Sequence, residues 1–171
     1  ILDRANQATG SYVFELTGAD GVTLDTLTIR GAYDGVYAGV NSDSDDLTVT
    51  NCVIHGNVDA GVYIRNTNDR AHLELNELYG SNYGIYAYGA IDGMLIEGNT
   101  ARDNYYYGIF VQSDTNTIIR ENTAYNNRWG VYTSSSTNCQ VGPGNTVYAN
   151  QDGGIQARYN NTEIFGNDVF N

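Results

Sequence analysis

A tripeptide of glycine, a β-branched residue and usually an aromatic recurs along the chain. Its copies are Gly35-Val36-Tyr37, Gly61-Val62-Tyr63, Gly84-Ile85-Tyr86, Gly108-Ile109-Phe110 and Gly130-Val131-Tyr132. A sixth copy, Gly154-Ile155-Gln156, loses the aromatic, and the steps between the glycines are 26, 23, 24, 22 and 24. Two asparagine series run in phase with it: Asn51, Asn76, Asn99, Asn122, Asn145 and Asn167, then Asn57, Asn82, Asn104, Asn127 and Asn150. Three interlocked series of one period define an array of about six to seven coils, each of roughly 22–26 residues.

Each coil reads as three short β segments bounded by Gly and Asn, too short for helices. One holds the Gly-Val-Tyr unit. One lies just before the first Asn, as in Leu47-Thr48-Val49 and Met94-Leu95-Ile96. One lies just after it, around Val53, Leu78, Ala101, Ala124, Val147 and Val169. Equivalent segments of successive coils stack at the strand spacing of about 4.8 Å, so the chain predicts an all-β solenoid of three parallel sheets around one narrow core. Asn suits the turns, because it tolerates left-handed backbone and bonds neighbouring main chain. Stacked Asn side chains can also bond one another along the axis.

Alternation sets which residues face the core. Val36, Val62, Ile85, Ile109, Val131 and Ile155 form an inward column, joined by Ala38, Ile64, Ala87, Val111, Thr133 and Ala157. Tyr37, Tyr63, Tyr86, Phe110 and Tyr132 then point outward, as does the row Gly39, Arg65, Tyr88, Gln112, Ser134 and Arg158. Tyr83, Tyr107 and Trp129 flank the same sheet, while Tyr79, Tyr125, Tyr148 and Phe170 face outward on another.

The formal charge is −12 and all eight basic residues are Arg. Such acidity repels phosphate backbones and anionic membranes, so nucleic acid is not an expected partner. No apolar run approaches the length of a membrane span, so membrane insertion is not expected either. The 171 residues fit a single domain, 1–171, and the repeat is running at both ends, which predicts a fragment of a longer chain with further domains. Cys52 and Cys139 stand about four coils, hence roughly 19 Å, apart along the axis, beyond disulfide reach, and are expected as free thiols.

The pattern G-[IV]-[YF]…N-x-[IVL]…N, from about Tyr12 to Asn171, resembles the parallel β-helix repeat of the pectin-lyase-like superfamily, most closely the NosD-type carbohydrate-binding and sugar-hydrolase domains. That resemblance implies a right-handed coil, in line with the crossover rule. It also implies an extracellular or cell-surface protein that binds polysaccharide, or processes it as a lyase, epimerase or glycosidase. The superfamily includes non-catalytic adhesins and surface proteins, and fold does not choose among them. The polygalacturonase motifs N-T-D, D-D, G-H-G and R-I-K are not reproduced. Asp45-Asp46 lies in a polar stretch, His55-Gly56 lacks the preceding Gly, and there is no Lys. The epimerase motif D-P-H-E is excluded by the sole proline, Pro143, in Gly142-Pro143-Gly144. No catalytic signature is present.

The candidate ligand-binding residues are Tyr37, Tyr63, Tyr83, Tyr86, Tyr88, Tyr107, Phe110, Trp129 and Tyr132, since aromatic rings pack on the C–H faces of sugars. The alternative is that these rings only stabilise the coil, being good strand formers that stack on their neighbours. Glycan chemistry needs carboxyl groups across the bond, or a base with a neutraliser of the sugar carboxylate. Asp34, Asp59 and Arg65 are the candidates on the aromatic sheet, with Arg158 beyond them. Asp43, Asp45 and Asp46 form an acidic cluster that could hold Ca²⁺ with main-chain carbonyls, although a solvated loop is the simpler reading. No other cofactor is expected. His55 and His72 read as surface residues, and the Asn160-Asn161-Thr162 sequon is uninformative.

Overall fold

The structure, a computed structural model, describes residues 1–159 and 161–171; the first sequon residue, Asn160, lies outside them. Three parallel sheets of eight, seven and seven strands form a solenoid of about seven turns, and no helix occurs among the described residues. The aromatic sheet runs from Tyr12–Leu16 to Gly153–Arg158. A second sheet runs from Thr23–Asp25 to Asn161–Ile164, and a third from Leu2–Asp3 to Asp168–Phe170. Each strand pairs with its equivalents in the neighbouring coils, so Ile85 lies between Val62 and Ile109.

The inward column is real. Val36, Val62, Ile85, Ile109 and Val131 are fully buried, as are Ala38, Ile64, Ala87, Val111 and Thr133. Burying an aliphatic side chain of this size is worth roughly 1.5–3 kcal/mol, so the column contributes a large share of the driving force. Ile155 and Ala157 depart from expectation: they are only half-buried. They lie on the last strand of the aromatic sheet, with no further coil stacked on them.

The recurrent glycine is required by close packing, not by an unusual φ. A Cβ on Gly61 would stand 2.7 Å from the Gly84 carbonyl oxygen, and one on Gly108 would stand 2.7 Å from that of Gly130 and 2.9 Å from the Asn127 side-chain amide. Any larger residue would push neighbouring coils apart.

The asparagines form two buried ladders. In the first, Asn99 Oδ1 accepts from the backbone N and Nδ2 of Asn76, both at 3.0 Å. Asn99 Nδ2 donates to Leu73 O at 2.8 Å and to Asn122 Oδ1 at 3.0 Å. The pattern continues through Asn145 to Asn167. Two positions differ from the sequence reading. Cys52, not Asn51, takes the first rung, its N–H donating to Asn76 Oδ1. Asn51 is instead the exposed left-handed turn residue before it. For the same reason Ile54, not Val53, faces the core. In the second ladder Ser81, not Asn82, takes the rung between Asn57 and Asn104. Ser81 is too short to replace an Asn there, and both its Oγ and Asn57 Nδ2 are buried without a partner.

Cys52 and Cys139 are buried free thiols, as the coil register required.

Candidate functional site: the aromatic sheet

Period-two alternation turns one ring per coil outward on the aromatic sheet, and the parallel register brings those rings together. Tyr63 stacks on Tyr86 at 4.6 Å between centroids and Phe110 on Tyr132 at 5.4 Å, while Tyr12, in register with Asp34 and not with Tyr37, reaches across to stack on Tyr37 at 4.1 Å. Between these stacked pairs the contacts are edge-to-face, Tyr37 with Tyr63 and Tyr86 with Phe110. Tyr83 and Tyr107 make a parallel line beside them at 5.5 Å, and Trp129 meets Tyr132 edge-on. Geometries of this kind add about 0.5–1.5 kcal/mol per pair beyond area burial.

Much of each ring face is therefore turned to another ring. Tyr37, Tyr63, Tyr83, Tyr86, Tyr88, Tyr107, Phe110 and Trp129 are half-buried. Tyr132 points away from the core as expected but is only 9 % exposed, because Tyr107, Phe110 and Trp129 surround it. Burial raises the Tyr63, Tyr83 and Tyr86 phenols, reinforced by neighbouring phenols and the Asp59 carboxylate. These three hydroxyls are thus held protonated, able both to donate and to accept.

Asp34 does not sit outward. It is 2 % exposed, and its Oδ1 accepts from Ala60 N at 3.1 Å. It occupies the column of Ala60 and Tyr83, flanking the glycine, where neighbouring strands cover it. Burial, and then the nearby Asp59 carboxylate, push its pKa up to about 7. Asp59 is half-buried and also raised, by burial, with the Asn82 side chain opposing. Each carboxylate acts on the Tyr33 phenol, so the two share one neighbourhood.

Arg65 lies between the rings of Tyr63 and Tyr88, its guanidinium carbon 5.8 and 5.1 Å from their centroids. Its Nε is buried without a hydrogen-bond partner. Arg158 contacts the hydroxyls of Tyr132 and Tyr159. By contrast, Arg30, Arg70, Arg102, Arg120 and Arg128 are each held by a carboxylate. On the aromatic sheet, two guanidiniums face rings and hydroxyls in place of acids.

The acidic stretch behaves differently. Arg70 donates to Asp46 Oδ1 at 2.8 Å and to Asp45 Oδ2 at 2.9 Å, and Asp69 N donates to Asp45 Oδ1 at 2.8 Å. Those carboxylates are committed to protein partners, and Asp43 is exposed beside them. Among the described residues no three His, Cys, Asp or Glu side chains are grouped to hold a metal ion.

Sequence reasoning missed the corner between the third and aromatic sheets. Tyr105, directly after ladder residue Asn104, is 71 % exposed and meets Tyr106 edge-to-face at 4.6 Å. The run Tyr105-Tyr106-Tyr107 was the available signal. It also missed that His55 stacks on Tyr79 at 4.9 Å, and that Arg102 lies 4.0 Å over the same Tyr79 ring.

The model of the right-handed beta helix region matches residues 35–171. The chain belongs to that family. Among solved structures, this β-helix is similar to a periplasmic alginate epimerase, AlgG, with a TM-score of 0.68 at 15 % identity, over 91 % of this chain and 42 % of that one. It is also similar to a DFA-IIIase from Arthrobacter chlorophenolicus, solved with DFA-III, at a TM-score of 0.60 and 14 % identity, over 81 % of this chain and 36 % of that one. The A-module of a mannuronan C-5 epimerase from Azotobacter vinelandii gives 0.55 at 12 % identity, over 88 % of this chain and 60 % of that one. The β-helix thus spans less than two thirds of each of these chains, and the likeness at such identities is one of fold. No curated protein matches the chain. No helix among the described residues is long and apolar enough to cross a membrane.

Proposed function

We propose that this β-helix is a polysaccharide-binding module of a secreted or cell-surface protein and that it takes a glycan along the aromatic sheet. The observation that carries the reading is the unbroken run of rings from Tyr12 to Tyr132, edged by Arg65 and Arg158, the two guanidiniums that face phenols instead of carboxylates. Protonated phenols and guanidiniums match the hydroxyl-rich edge of a sugar chain. The alginate and DFA-III enzymes named above act as support, because each puts this fold to work on a carbohydrate.

Binding is better supported than processing. Asp34 is too buried to reach a glycosidic bond, which leaves the half-buried Asp59 and Arg65 as the accessible part of a candidate reactive group. A strictly structural or adhesive role is the second reading, favoured by the ring faces that are spent on one another. The acidic surface favours a neutral glycan, unless Ca²⁺ bridges it to a uronate. Screening the chain on a glycan array with and without Ca²⁺ separates these cases. Replacing Tyr63, Tyr86 and Phe110 together by Ala should abolish binding while the circular-dichroism spectrum stays that of a β-solenoid. A folded triple variant with full affinity would overturn sheet binding and favour the scaffold reading.

A further inference from the structure

The rings of the aromatic sheet face one another, whereas Tyr105 does not share that arrangement. It stands at the corner where the third sheet turns into the aromatic sheet, 71 % exposed. Clefts of about 450 and 460 Å³ lie on its two sides, and both are lined by Asn104, Tyr105 and Asn126. One extends toward the later coils, to Arg128 and Gln151, and the other toward the earlier coils, to Ser81 and Asn82. The ring is therefore a partition between two clefts arranged along the solenoid axis. Both clefts are shallow and open to solvent, the one toward the earlier coils the more so.

The platform is rigid. Asn104, which precedes the ring, is 3 % exposed, and its amide is locked to Leu78 O and Asn127 Oδ1. Tyr105 N donates to Ser81 O at 2.8 Å, and Tyr106 braces the ring edge-on. Little ordering is left for a ligand to impose.

The charges at the corner are already matched. Arg128 is paired with Asp152, and Asp103 with Arg102 and the Asn126 amide. Among the described residues lining the clefts, no unpaired cation is offered to a uronate, while the chain as a whole carries −12. What the clefts present is one exposed aromatic ring between them with amide groups around it, the chemistry that holds a neutral pyranose.

We propose that the two clefts flanking Tyr105 are subsites for consecutive neutral sugar residues, at the corner and apart from the sheet. This rests on the polysaccharide-binding reading and adds to it a place and a ligand class. The test is ¹H–¹³C NMR of the chain with ring-labelled tyrosine, the Tyr105 signal being assigned by its loss in Tyr105→Phe. The probes are cellohexaose, mannohexaose and xylohexaose, with tetragalacturonate as the anionic comparison. At least one neutral hexasaccharide should shift the Tyr105 ring signal, and tetragalacturonate should not. Tyr105→Ala, on an exposed ring, should leave the fold intact and weaken that hexasaccharide by up to about tenfold, whereas Tyr105→Phe should nearly retain it. If a neutral hexasaccharide shifts only sheet tyrosines and Tyr105→Ala binds normally, the corner subsites are refuted and sheet binding stands. A shift of Tyr105 by tetragalacturonate would refute the neutral class. If no glycan of the array binds anywhere, the reading beneath this one falls with it.

Discussion

Replacing Asn99 by Ala tests whether the asparagine ladder, and not only the aliphatic core, holds the coils together. Asn99 is wholly buried and engages four groups: Asn76 N, Asn76 Nδ2, Leu73 O and Asn122 Oδ1. Truncation leaves the Asn76 N–H and the Leu73 carbonyl, both main-chain groups away from water, without those partners. Each such group costs about 1–3 kcal/mol, and the two side-chain amides lose weaker, partly replaceable bonds. The expected loss is about 3–6 kcal/mol, a large part of the stability of an ordinary domain. Asn167→Ala is the control. Asn167 makes the corresponding contacts to Asn145 and Val141 O, but in the last coil, where water can substitute. It should cost only about 1 kcal/mol. Urea denaturation followed by circular dichroism reads both, as a shift of midpoint at unchanged slope. Equal, small losses at the two sites would refute the ladder as a principal stabilising element.

Further predictions concern single residues. Ser81→Asn should complete the second ladder by giving Asn57 Nδ2 an acceptor, raising stability by about 1 kcal/mol; an unchanged urea midpoint would count against it. Gly84→Ala should destabilise by about 1–3 kcal/mol, since its Cβ would lie 2.5 Å from the Gly108 carbonyl oxygen; a neutral effect on melting temperature would show that the coils can part. Asp114 is 1 % exposed, and burial pushes its pKa up to about 8. The adjacent Thr117 hydroxyl offsets this a little, although neither its oxygen nor the carboxyl oxygens meet hydrogen-bond geometry. The folded state therefore holds this proton more tightly than the unfolded chain does. Its stabilisation is complete below about pH 4 and is lost as pH rises through about 8. Asp114→Asn should flatten the decline in stability between those limits, and an unaltered slope in urea titrations would refute the assignment.

The solenoid was legible because its period is written in three residue types whose physical reasons are independent. The glycine has no room for a Cβ, the asparagine bonds main chain in the turn, and the β-branched residue fills the core. Where two neighbouring residues could serve, the pattern was misplaced by one. Asn51 and Cys52 compete for one rung, and so do Ser81 and Asn82; in each pair the Asn looked the better match. The sequence also showed which rings leave the core, but not that they would stack in pairs, nor that Asp34 would be covered. Those outcomes depend on side-chain rotamers and on neighbouring coils. Tyr105 escaped notice because it belongs to no repeated column. Its corner holds three residues, a length shared by Asn57–Gly61 and Asn150–Gly154, and only here does the first of them carry a ring.

The glycine column has a consequence for how such a chain can change. The space for a Cβ in one coil is taken by the carbonyl oxygen of the next, so the residue tolerated at that point is dictated by its successor. A coil can be gained or lost as a whole unit, but altered there hardly at all. The corner before it is free of this constraint: two residues separate Ser81 from Gly84, and three separate Asn104 from Gly108. Variation is thus channelled away from the scaffold and into the corners, where one residue can present a ring like Tyr105 to solvent. Architecture and recognition can then evolve on separate residues of the same coil.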